Sequence, residues 1–189
     1  MKLFAVLRAA AAALLVYGAT LPATAAFYVG DTTESPTYNR ALSDFSGLSA
    51  VGTDVAYDVY SFMVGADGMY KVRSFAEGLL QDAPWDQFLF LYSGSFDPSM
   101  PLLNGVAGND DFNSTIGRSG FDVALSTGVT YFLVTTGFDN EDAGTFLNLI
   151  RGPGDILPGV PEPGTYALLA MGLAGITLAV RRRSASADR

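Results

Sequence analysis

Short apolar segments of this chain are broken every 8 to 12 residues by Gly- and Asp-containing turns, and the segments favour aromatic and β-branched residues. That spacing is the signature of an antiparallel β sandwich or barrel. In GMYKVRSF (68–75), Tyr70 and Val72 alternate with Lys71 and Arg73, which predicts a strand with one buried and one wet face. It follows AYDVYSFMV (56–64) across the short turn GAD. DQFLFLYS (86–93) and VTYFLVTTG (129–137) are nearly continuous apolar runs and predict central strands. FDVALS (121–126) followed by TGVTYFLVTT predicts a hairpin turning at Thr127-Gly128, and GTFLNLI (144–150) a last strand. No stretch between the two ends sustains a 3.6-residue period, and YNRALSDFSGLSAVG (38–52) holds a short helical turn at most. Residues 27–52 are too few for a second domain, so they should add an edge strand or a covering segment.

The two ends carry a different pattern. Lys2 and Arg8 precede the apolar run Ala9–Ala19, and Ala23-Thr24-Ala25 supplies the small residues that a signal peptidase accepts. Residues 1–25 are therefore expected to be a signal peptide cut before Ala26, with Phe27 as the second choice. At the other end ILPGVPEPGT (156–165) is a Pro/Gly stretch unsuited to the interior of a helix or sheet. The uncharged run 166–180 would be about 22 Å long as a helix, short of the roughly 30 Å hydrocarbon core. Arg181, Arg182 and Arg183 follow it and would hold the C-terminus, with residues 184–189 as its tail, in the cytoplasm. The expected architecture is all-β: one antiparallel, jelly-roll-like sandwich over 26–155, between a signal peptide and a single C-terminal transmembrane helix.

Charge and missing residue types narrow the chemistry. Residues 26–160 carry five cations against 17 acids, a net charge of −12, and such a surface repels phosphate, so nucleic acid is not an expected partner. The chain has no Cys and no His, which removes disulfides, the usual Ser and Cys triads, and zinc sites built on imidazole or thiolate. The glycines at 105, 108, 117, 120, 128, 137 and 144 have no Gly-Lys-Ser/Thr beside them and are turn glycines rather than a phosphate loop. The expectation is a protein that is not an enzyme.

AGNDDFNS (107–114) is the most conspicuous polar cluster. Asn109, Asp110, Asp111 and Asn113 offer the hard oxygen ligands that calcium requires, on a Gly-led loop without the EF-hand register. The plainer reading is that the same side chains satisfy turn geometry. With 17 acids, some carboxylate pair will lie at glycosidase spacing by chance. Trp85 either stacks on a sugar at a loop edge, with Tyr92 and Tyr131 extending the surface, or plugs the core where a strand enters; core packing is the preferred reading.

Two resemblances add to this. Tyr60-Ser61-Phe62, Gly68, Tyr70, Asp86 with FLFLY, FDP (96–98), PLL (101–103), GNDD (108–111), Gly128 with YFLVTTGF, and DAGTF resemble the bacterial pre-peptidase C-terminal domain over 53–151. The resemblance implies a small secreted antiparallel sandwich, with calcium held near acidic loops to which Asp97 or Asp139, Asn140, Glu141 and Asp142 would add. Residues 27–52 leave no room for the catalytic module that such a domain usually accompanies, so none is expected beside it. The C-terminal Pro-Glu-Pro triplet, short apolar run and arginine cluster, residues 160–183, resemble the PEP-CTERM sorting signal. That implies an exosortase that recognises Val160, Pro161, Glu162 and Pro163, after a transient stage in the inner membrane, and delivery to the cell surface or outside. The function expected is a structural or adhesive surface or matrix protein, associated with extracellular polysaccharide or biofilm. The alternatives are a calcium-dependent carbohydrate-binding module and, behind it, a small secreted hydrolase built on acidic residues.

Overall fold

The computed structural model describes residues 24–76 and 85–159. Ten strands form in it: β1 (Thr24–Asp31), β2 (Thr37–Tyr38), β3 (Val55–Val64), β4 (Gly68–Phe75), β5 (Gln87–Ser93), β6 (Gly105–Asn109), β7 (Arg118–Leu125), β8 (Tyr131–Gly137), β9 (Thr145–Gly152) and β10 (Ile156–Pro158). A four-stranded sheet in the order β1-β9-β4-β7 faces a second sheet in the order β10-β3-β8-β5-β6, with β2 paired to β3. Every pairing is antiparallel. The fold is the expected all-β sandwich. Of the expected signal peptide 1–25, residues 1–23 lie outside the described residues, as do the apolar run 166–180 and the arginine cluster, while Thr24 and Ala25 open β1; among the described residues no helix is long and apolar enough to cross a membrane.

Strand alternation explains the layers. Tyr70 and Val72 of β4, Leu125 of β7 and Ile150 of β9 meet Phe62, Val64, Leu89, Leu91 and Leu133 of the facing sheet in one buried cluster. The strand β5 is apolar from Phe88 to Tyr92 because both of its faces are covered. Leu89 and Leu91 point between the sheets, while Phe88, Phe90 and Tyr92 point outward into a second cluster with Tyr38, Ala41 and Val55. The segment after β2 folds over that outer face, held by the Ala41–Leu48 bridge. Its Phe45 ring sits 5.6 Å from Phe90 and 5.5 Å from Tyr92, and edge contacts of this kind add to simple burial. Residues 27–52 thus supply both an edge strand, β1, and a cover.

Two expected connections differ. FDVALS and VTYFLVTTG are not a hairpin, because β7 belongs to the four-stranded sheet and β8 to the other. Thr127-Gly128 makes a turn all the same, with Gly128 at φ 77°, but it carries the chain across the sandwich. Nor is β9 last: Ile156–Pro158 pairs with Val64–Phe62 at the edge of β3, where the Pro158 nitrogen faces no further strand.

One end of the interior is polar. Ser74 Oγ donates to Gln87 Oε1 at 3.0 Å, and Gln87 Nε2 donates to the Gly117 carbonyl at 3.1 Å. Asn148 Nδ2 donates to Thr135 Oγ1 at 2.9 Å. These bonds tie one sheet to the other where apolar packing stops, and being buried they hold one register.

Candidate functional site

Next to that polar end the start of β5 and the β8–β9 loop meet the end of β6. β6 runs beside β5, so Asp110 and Asp111, just past Asn109, come level with Asp86, just before Gln87. Carboxylate oxygens of Asp86, Asp110 and Asp111 all lie within 4.8 Å of one another. Asp142 joins them from the β8–β9 loop, its Oδ1 accepting from the Asp86 amide and its Oδ2 from the Asp139 amide, both at 3.1 Å. Gly137 lets this loop fold back, since a Cβ there would run into the Asp142 main chain.

Arg40, almost fully buried, is the cation of this end. Its Nε and Nη2 donate to the Phe138 carbonyl at 3.1 and 2.7 Å, Nη1 donates to Ala41 O, and the guanidinium lies 4.3 Å from the Phe88 ring. Its hydrogen bonds go to carbonyls, so it acts on the acids as a field rather than as a partner.

The electrostatics follow from this geometry. Burial first, then Asp142, Asp111 and Asp139, push Asp86 up to about 6, with Arg40 opposing. Burial, then Asp86 and Asp111, likewise push Asp110 up to about 6 against Arg40. Asp142 is raised by burial and held down by the two amides. Burial lowers Arg40, against the pull of Asp110. Asp86, Asp110 and Asp111 each keep one buried oxygen, Oδ1, with no hydrogen-bond partner. Buried acceptors of this kind are costly to leave unmatched, and three of them together suit a hard cation better than a proton.

Of the expected quartet, Asp110 and Asp111 enter the cluster. Asn109 Oδ1 accepts from the Gly120 amide at 2.9 Å, and Asn113 is exposed in a left-handed turn at φ 57°. Asp97 is bound to Ser99 in an exposed turn, and Asn140 turns to Thr53 and the Asp54 amide. Asp86 is the member that the sequence did not nominate as a ligand; its signal was a lone acid just before the apolar run Phe88–Tyr92. Trp85 is a core plug: 8% exposed, packed with Ala76, Phe146 and Tyr28, its Nε1 donating to Thr145 O at 3.0 Å. Tyr92 and Tyr131 are buried as well, so the three rings offer no exposed platform.

Comparison with known proteins adds the tail. The family model of the PEP-CTERM protein-sorting motif matches residues 159–183, so the chain carries that motif and with it the mark of an exported protein. The comparison with curated proteins finds no match. Among solved structures, a family 35 carbohydrate binding module from an environmental isolate is similar at 15% identity, covering 71% of this chain and 99% of its own, with a TM-score of 0.37. A CBM35 from Cellvibrio japonicus Abf62 is similar at 11% identity with the same coverages and a TM-score of 0.34.

Proposed function

We propose that this is an exported protein, held briefly in the inner membrane by the run 166–180, cut by an exosortase near Val160–Pro163 and delivered to the cell surface or the extracellular matrix. There it serves a structural or adhesive role beside extracellular polysaccharide, without catalysis. The sorting motif at 159–183 carries the reading. The absence of His and Cys from the whole chain supports the non-enzymatic part. Mass spectrometry of the exported protein tests the sorting step: the expected species ends close to Pro163, and a surface species that retains Arg189 defeats it.

The acidic end belongs to the same reading. Asp86, Asp110 and Asp111 are the residues that would hold a calcium ion, whose charge would relieve their mutual repulsion and pin the ends of β5 and β6 together. Isothermal titration of the full chain should show calcium heat at pH 7.5 and a higher melting temperature in calcium. No heat and no shift would remove the metal.

A further inference from the structure

The outward face of the four-stranded sheet concentrates what the rest of the exported region lacks. Of the five cations between residues 26 and 160, only Arg40 lies elsewhere; Lys71, Arg73, Arg118 and Arg151 stand at outward positions of β4, β7 and β9. Arg73 is engaged, 2.6 Å from Asp122 and 4.0 Å from the centre of the Phe112 ring. Lys71 and Arg151 are exposed and directly opposite each other in the β4–β9 register, and among the described residues neither makes an ion pair. Like charges so placed repel unless an anion lies over both. They line an open cleft with Met69 and Pro153; its one acid, Asp67, accepts from the Thr127 amide.

The same face also carries exposed apolar side chains, beside two acids, Asp31 at the end of β1 and Asp122 paired with Arg73. Phe27 is 68% exposed, Val29 70% and Met69 61%, and Leu149 lies between Phe27 and Arg73 in the register. Cations beside exposed large apolar side chains on one face are the composition of a lipid-interface surface.

The tether says which anionic surface is within reach. The strand β10 lies on the β1 flank of the sandwich. Six residues, 160–165, separate Gly159 from the uncharged run at Tyr166, a reach of about 20 Å when extended. A region of net charge −12 held that close to an anionic bilayer is repelled in every orientation except the one that presents its basic face.

We propose that, in the membrane-held stage, the outer face of the four-stranded sheet docks on the anionic lipid surface, with Lys71 and Arg151 against phosphates and Phe27, Val29 and Met69 at the interface. The inference rests on the anchored stage proposed above, and its test separates the two. The chain has no cysteine, so Met69→Cys and, as a control on the loop after β5, Met100→Cys accept a nitroxide at one site each. The full chain is reconstituted in phosphatidylcholine vesicles with or without about one-third phosphatidylglycerol, and flotation reports anchoring. The label at 69 should lose roughly fivefold or more of its accessibility to a water-soluble relaxant relative to 100, only in the anionic vesicles. Lys71→Glu with Arg151→Glu should abolish that protection while flotation and melting temperature persist. A chain that floats with 69 as wet as 100 overturns the docking and spares the anchor, whereas a chain that does not float overturns both. Equal protection in neutral vesicles, protection only by a soluble polyuronate, or spin–spin broadening between labels at 69 each overturns the lipid contact, in favour of plain apolar insertion, a glycan or a second copy respectively.

Discussion

Asp86 and Asp110 hold their protons to about pH 6, against 3.8 for an ordinary aspartate, first because they are partly buried and then because they face other acids. Their folded pKa values are raised, so the folded chain keeps protons that the unfolded chain has released, and stability falls as pH rises from about 4 to 6. Asp44, Asp67 and Asp97 work the other way. They are exposed, and bonds from Ser46, Thr127 and Ser99 lower them, so their contribution is lost as pH falls through the low acid range. Without calcium, the melting temperature should therefore peak near pH 4. Asp110→Asn removes a charge from the cluster and should raise the calcium-free melting temperature at pH 7.5 by about 2–4 °C. It should also flatten the slope between pH 5 and 7.5 and abolish any calcium effect. Scanning calorimetry at the two pH values decides; a lower melting temperature for the variant at pH 7.5 would mean that the ionised carboxylate has a favourable partner.

At the scale of elements, the entry of β5 depends on Trp85. The ring fills the space beside Phe146 and satisfies the Thr145 carbonyl, so Trp85→Ala should cost about 3–5 kcal/mol in urea unfolding, and Trp85→Phe, which keeps most of the volume, distinctly less. That the strand begins there was legible: a continuous apolar run after a Trp-Asp pair says where burial starts. So were the alternation of β4 and the all-β class, because a period of two is a local property of the pleat. Sheet membership was not legible. The turn at Thr127-Gly128 needs a glycine at positive φ whether the chain pairs back or crosses over, so local chemistry could not separate a hairpin from the β7-to-β8 crossing. The site was half legible for the same reason. Asp110 and Asp111 are neighbours in sequence and could be paired on sight, but Asp86 reaches them only because β6 lies beside β5. Asn109 looked like a ligand and instead satisfies the Gly120 amide across to β7.

On the scale of the whole molecule, the sandwich finishes just as the sorting motif begins. Ile156 packs on the main core, β10 closes the β3 edge, and the Gly159 amide donates to Ser61 O at 3.0 Å. Residue 159 is also the first residue of the motif. A cut among Val160–Pro163 therefore severs the chain beyond the last bond that the described sandwich makes, and a released domain would keep all of its core. A chain ending at Val160 should melt within about 1–2 °C of the full chain, whereas one ending at Asp155 loses the strand, the Ile156 contact and the cover over the Val64–Phe62 edge, and should melt about 5 °C or more lower. Thermal denaturation of the two truncations against the full chain makes the comparison. If ending at Val160 cost as much as ending at Asp155, the tail would be part of the fold, and removing it could not be a neutral processing step.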